Sequence, residues 1–178
     1  MANSVKVSMI GDKKFTANVV KVLRRALDKP TLDACGEEIV KLNQQAVRRG
    51  EAIGNSSKLP SNSDAWVKRR KFLSQFNNTG EAYGPKKSNL TFTGQLIRAI
   101  THKSNSGKME LEIFIKSSKR EPYKGPKGPI GNRNLSNQKL GEYIADKGII
   151  FVGLTLQAKV RCNEIIKRRV RSLMRLFK

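Results

Sequence analysis

Along this chain of 178 residues, 36 Lys and Arg stand against 14 Asp and Glu, a formal net charge of +22. Any fold the chain adopts must hold these like charges near one another, and their repulsion opposes compaction. An anionic partner offsets such an excess: nucleic acid, an acidic protein surface or acidic lipid. Solubility alone explains it less well, because acidic residues serve solubility better. Hydrophobic residues make up 38% of the chain, enough for one modest core, so a single domain over residues 1–178 is expected. Met1–Ile10 holds no long apolar run and no small-residue cleavage site, which argues against a signal peptide. The longest apolar run, Ile149–Val152 with Gly153 and Leu154 after it, falls far short of the roughly 20 residues of a membrane helix. The expectation is a soluble chain made in a cytoplasm. Cys35 and Cys162 lie in no CxxC or Cys/His cluster, so they read as two buried free thiols rather than metal ligands.

Apolar spacing predicts an N-terminal helical part over residues 12–50. Phe15, Val19, Val22, Leu23 and Ala26 recur at steps of three and four, with Lys21, Arg24 and Arg25 between them. Pro30 is expected to end this helix and Thr31 to cap the next, whose stripe is Leu32, Cys35, Ile39, Leu42 and Ala46. Arg48, Arg49 and Gly50 suit its C-terminus, and the two helices read as an antiparallel pair around an Asp28–Thr31 turn. Residues 51–63, rich in Gly, Ser and Asn, read as a flexible loop. Ser63 or Asp64 can cap a third helix reaching Phe76, with Trp66, Leu73 and Phe76 apolar. Residues 77–89 are turn-like, and Thr93 can cap a short helix carrying Leu96, Ile97 and Ile100. Thr101–Lys103 and Met109–Lys116 flank an Asn105-Ser-Gly107 turn as a β-hairpin. Its second strand alternates Met109, Leu111, Ile113 and Ile115 with a mostly polar face. The loop over 117–134 carries Lys119, Arg120, Lys124, Lys127 and Arg133 among Gly and Pro, too little apolar content to pack into a core. A helix from Leu135 to Lys147 follows, with Leu140, Tyr143 and Ile144 on one side and Gly148 as its cap. Ile149–Val152 is β-like, and Thr155 starts a long final helix.

Catalytic equipment is scarce. His102 is the only histidine and has no Ser, Cys or carboxylate motif beside it in sequence. No GxxxxGK[ST] or post-strand GxGxxG is present, and no carboxylate pair has a spacing suited to acid–base or two-metal chemistry. Gly125-Pro-Lys-Gly-Pro129 looks like an anion loop, but its prolines remove backbone donors. No enzyme activity, cofactor or metal is expected. Charge placement says more. Arg161, Arg168, Arg171, Arg175 and Lys178 fall on one stripe of the final helix. Leu156, Val160, Ile166, Val170, Leu173 and Phe177 fall on another and would face the core. Such a cationic stripe is either a solvated face or a binding surface. Like charges at these spacings cost about a few tenths of a kcal/mol per pair, which favours binding to an anion, DNA backbone or an acidic neighbour. Lys68, Arg69, Arg70 and Lys71 after Trp66 are either a nucleic-acid patch or the outer side of a helix whose Trp is core. Aromatics are too few and scattered, at 6%, for a base-stacking platform.

Several segments taken in order are similar to phage virion-morphogenesis and tail-completion proteins. Those proteins carry a Trp-containing helix, a Leu-x-x-Thr-Gly-x-Leu-x-x-x-Ile segment, a β-hairpin, a variable loop, a short helix and an aromatic-x-Gly-Leu stretch opening the last helix. Here the matching pieces are Trp66, Leu90-Thr-Phe-Thr-Gly-Gln-Leu-Ile-Arg-Ala-Ile100, Tyr143-Ile-Ala-Asp-Lys-Gly148 and Ile150-Phe-Val-Gly-Leu-Thr155, across residues 64–175. Ile149 and Ile150 stand where that family often has Arg-Pro, Ala99 stands in place of a Ser, and the 117–134 loop is longer and more basic. Thr93, Gly94, Leu96, Phe151, Gly153 and Leu154 are the motif residues the resemblance singles out. Gly94 is expected to admit a close neighbour and Gly153 to allow a sharp turn. The resemblance implies an α+β fold, a small antiparallel sheet packed by helices, with a family-like core over 64–178. It implies a structural subunit of the head–tail connector (the neck or tail-completion ring), found in the virion neck and in the host cytoplasm during assembly. Its partners would be other copies of itself in a ring of about six or twelve, the portal or adaptor and tail proteins, and double-stranded DNA in the channel, with no membrane. The alternative is a stand-alone basic nucleic-acid-binding protein.

Overall fold

Helix α1, Lys13–Ala26, gives way to α2, Lys29–Arg48, at an acidic residue and not at the proline. Asp28 takes extended backbone angles, and its Oδ1 accepts from the Thr31 amide at 3.1 Å and the Thr31 hydroxyl at 2.6 Å. The N-cap is therefore Asp28, and Thr31, expected to cap, is buried inside the first turn. Pro30 lies in that same turn, where a missing N–H costs nothing. Gly50, at φ +74°, follows the C-terminal residue Arg49 in the left-handed conformation that glycine adopts freely.

The structure, a computed structural model, describes residues 13–53, 59, 63–76, 94–130 and 135–175. It is an α+β fold. After α2 come α3 (Asp64–Ser74), a single-turn α4 (Gln95–Arg98), β1 (Ile100–Asn105), β2 (Glu110–Ile115), β3 (Tyr123–Gly125), β4 (Gly128–Ile130), α5 (Asn137–Asp146) and α6 (Leu156–Arg175). β1 and β2 form an antiparallel hairpin that pairs Ile100 with Ile115 and Asn105 with Glu110. Met109, expected at the head of the apolar face, belongs instead to the turn. It has φ +54° and is exposed.

Helix α2 packs against both the hairpin and α6, while α1 lies against α6 and not back along α2, so the first two helices do not form the antiparallel pair expected around the Asp28–Thr31 turn. Its buried set, Leu32, Cys35, Gly36, Ile39, Leu42, Asn43, Ala46 and Val47, is wider than one amphipathic stripe for that reason. Gly36 admits the sheet: a Cβ there would come within 2.4 Å of the His102 ring. Beside it Ile39 and Leu42 cluster with Ala158 and Cys162 of α6 and with Leu111 and Ile113 of β2. Two pairings set the α2–α6 register. Cys35 meets Cys162 and Asp28 meets Arg169, so seven residues forward on α6 match seven backward on α2, an antiparallel crossing. A second cluster, Val47, Leu96, Ile97, Ile100, Ile144 and Phe151, closes the end of the hairpin under α4 and α5.

Several expectations change here. Ile53 and Leu59 are buried, and the Ile53 amide donates to the Ile150 carbonyl at 2.7 Å, so this part of the 51–63 loop is pinned to the core. Residues 149–152 form no strand. They lie as irregular chain, with Phe151 buried and Ile150 exposed. Tyr143 is exposed as well, so α5 buries Gly141 and Ile144 instead. The 117–134 loop is not featureless: β3 and β4 pair within it. Gln95 ties it down, donating to the Glu121 carbonyl at 3.1 Å and accepting from the Glu121 amide at 2.9 Å. Gly94 serves through its backbone, since it precedes α4 at φ +68°; Thr93, the expected cap, lies outside the described residues.

A Gly36→Ala substitution should lower stability by about 1–3 kcal/mol in urea unfolding through overpacking against His102. In a His102→Ala background the same change should be neutral or stabilising, because the ring is gone and Ala is the better helix former. Equal penalties in both backgrounds would refute the close-approach reading of Gly36.

Candidate polyanion-binding surface

Helix α6 carries Lys159, Arg161, Lys167, Arg168, Arg169, Arg171 and Arg175 against Glu164 alone. Thr155 begins it, its hydroxyl accepting from the Ala158 amide at 3.0 Å. The face turned to α2 is Ala158, Cys162 and Leu173, with Arg169 in the same row. This differs from the expected core stripe. Leu156 and Val160 are exposed, Ile166 and Val170 are half-buried, and Phe177 lies outside the described residues. Packing against two helices at once set the phase of the helix, and the apolar spacing alone did not show it.

Arg161, Arg168, Arg171 and Arg175 all point to solvent. Arg161 pairs with Glu164 at 3.4 Å, an exposed bridge of small worth. Arg169 donates to Asp28 Oδ2 at 2.5 Å. The Thr31 hydroxyl, the Thr31 amide and Arg169 together hold the Asp28 carboxyl below its usual value against a smaller cost of burial. One carboxylate thus caps α2 and fixes the cationic helix to it. Helix α1, which packs on α6, carries Lys21, Arg24 and Arg25, all exposed. The sequence showed these three cations but gave no sign of which helix they would neighbour.

The loop cations stand elsewhere, on the part of the chain tied to α4 and α5 through Gln95 and through Asn137, whose amide donates to the Ser118 carbonyl at 2.9 Å. Lys119, Lys124 and Lys127 are exposed, whereas Arg120 is half-buried. Arg133 and Lys178 lie outside the described residues. The α3 cluster is divided: Lys68, Arg69 and Lys71 are exposed, but Arg70 is buried beside Leu73 and is no surface cation. Of the remaining motif residues, Leu96 and Phe151 are core, Leu154 is exposed, and Gly153 lies so near Ile53 that a Cβ would approach it to 3.2 Å.

His102 acquires neighbours that its sequence surroundings lack. Ser104 donates its hydroxyl to Asp33 Oδ1 at 2.5 Å, and His102 Nε2 lies 3.6 Å from the same oxygen. Lys29, first, and Ser104 lower the Asp33 carboxyl. The three residue types match a nucleophilic triad, but the connections do not. Ser104 donates its hydrogen bond to the carboxylate instead of to the imidazole, so His102 does not stand as the base between them. Among the described residues no three of His, Cys, Asp and Glu converge as metal ligands, and no helix is long and apolar enough to cross a membrane. A groove of about 730 Å³ runs between β2, α5 and residues 149–152, with Ile113, Ile115 and Phe151 among its apolar lining and Lys103, Glu112 and Glu142 among its polar lining.

No protein-family model matches the chain, and no curated protein or solved structure matches it.

Asp28→Ala should cost about 1 kcal/mol through loss of the cap. The Asp28 carboxyl is lowered on folding, so its stabilisation is present above about pH 4, the unfolded value, and is lost as pH falls through the lower folded value. Urea midpoints for the native chain should therefore fall on acidification more than those of Asp28→Ala. Parallel curves would show that Asp28 contributes no such linkage.

Proposed function

We propose that this chain is a structural subunit of a phage head–tail connector, the neck or tail-completion ring between the DNA-filled head and the tail, and that it performs no catalysis of its own. The observation that most supports a polyanion-facing role is the row of exposed cations on α6, Arg161, Arg168, Arg171 and Arg175, with Lys21, Arg24 and Arg25 exposed on α1, the helix packed beside it. The resemblance of the Thr93-Gly-Gln-Leu96 and Phe151-Val-Gly-Leu154 segments to tail-completion proteins supplies the virion context. In this reading copies of the chain close a ring through heterologous contacts. Their basic helices face channel DNA or acidic portal and tail proteins, and the β3–β4 loop with Lys119, Lys124 and Lys127 reaches a neighbouring subunit. The protein resides in the neck of the virion, and in the host cytoplasm before assembly. The decisive experiment is mass spectrometry and electron microscopy of purified virions. The expected result is the chain at a fixed copy number per particle, located at the head–tail junction. Its absence from mature particles overturns the reading.

The same exposed cations also favour the second reading, a stand-alone nucleic-acid-binding protein. If DNA is the ligand in either case, duplex affinity should fall linearly with log salt, with a slope of roughly −0.9 per phosphate contacted. Replacing Arg168, Arg171 and Arg175 with Glu should weaken binding at least tenfold and flatten the slope. Unchanged affinity in that variant would remove DNA as the partner of α6.

A further inference from the structure

The seam between α2 and α6 brings together the chain's two cysteines, 127 positions apart in sequence. Cys35 Sγ lies 3.9 Å from the Cys162 carbonyl oxygen, and Cys162 Sγ lies 3.7 Å from the Cys35 carbonyl oxygen. Each sulfur reaches the other residue's backbone, which requires both side chains to share one gap between the helices. The antiparallel register puts them opposite each other, and Ala158, fully buried one turn earlier on α6, lets the helices approach. Both thiols are free. Cys35 is 3% exposed and Cys162 is half-buried, so Cys162 is the less enclosed residue of the two.

We propose that Cys35 and Cys162 form a redox-active dithiol, which a peroxide converts into an intramolecular disulfide that clamps α6 to α2. The less enclosed Cys162 reacts first. Its thiolate attacks a peroxide oxygen, the O–O bond breaks, and hydrogen peroxide releases one water, leaving a sulfenic acid on Cys162. The Cys35 sulfur then forms the S–S bond as the S–O bond breaks and a second water leaves. Two thiols give up two electrons and two protons, and one hydrogen peroxide becomes two waters. The side chains support this order. The hydrogen bond from Cys35 holds the Cys162 thiol below its ordinary value, against burial and the nearby Glu38 carboxylate. That hydrogen bond and burial push Cys35 up. The bond would join the central helix to the cationic final helix, so oxidation would fix that helix in place whichever anion it meets.

The test uses the full chain, purified reduced and folded, treated with stoichiometric hydrogen peroxide, then denatured and alkylated with N-ethylmaleimide. The expected product is a monomer lighter by two hydrogens, with neither cysteine alkylated until dithiothreitol is added. Its Tm should be about 5 °C or more above that of the reduced chain, because the bond closes a long loop in the unfolded state. Cys35→Ser and Cys162→Ser should each abolish both the mass loss and the Tm rise. Disulfide-linked dimers, oxygen adducts without loss of two hydrogens, full alkylation after peroxide, or a lowered Tm would overturn the proposal.

Discussion

Because Gly36 faces the β1–β2 hairpin while Cys35 and Ile39 face α6, helix α2 has to be buried on two sides at once, and the remaining elements take their places around it. The sheet can lie close only because residue 36 has no side chain to fend off His102. The final helix can lie close only because Ala158 and Cys162 are small where they meet Ile39 and Cys35. Close packing of this kind has little slack, since cores at native density respond to a single added methyl group. Two turns further along the α2–α6 seam, Asp28 performs two tasks with its two oxygens, accepting from the Thr31 amide in the first turn of α2 and receiving Arg169.

That geometry also explains how a chain with a charge of +22 keeps a compact core. The cations of α1 and α6 lie on the sides of those helices that no other element covers, where water screens their mutual repulsion. Arg169, on the buried row, has a carboxylate partner. Some apolar surface is left over at the opening of α6, where Leu154, Leu156 and Val160 are exposed. Residual repulsion and unspent apolar surface are both relieved by association, one with an anion and the other with an apolar face, which suits a subunit of an assembly.

Local chemistry made much of the fold legible. The apolar steps of α2, the Ser63 cap of α3, the hairpin around residues 106–109 and the glycines at 50 and 148 were readable because each depends on neighbours a few residues away. Where reading failed, a distant contact had overridden the local pattern. Ile53 is core because Ile150 binds its amide, residues 149–152 pair with no strand among the described residues, and Arg70 is buried although Arg69 and Lys71 beside it are exposed. The basic stripe of α6 was visible as a stripe. That α1, with Lys21, Arg24 and Arg25, would pack beside that helix was not, because two helices 130 or more positions apart share no local signal.

By itself, then, the sequence determined the charge excess, the two N-terminal helices, the hairpin and the scarcity of catalytic groups, all properties of composition or of short-range periodicity. Only the tertiary structure decided which face of α6 is core, that Asp28 rather than Thr31 is the cap, that Ser104, His102 and Asp33 meet without forming a triad, and that Cys35 and Cys162 face each other. The physical reason is common to all four. Helical periodicity specifies which side chains share a face, but the rotation and register of one element against another come from the shapes that pack between them.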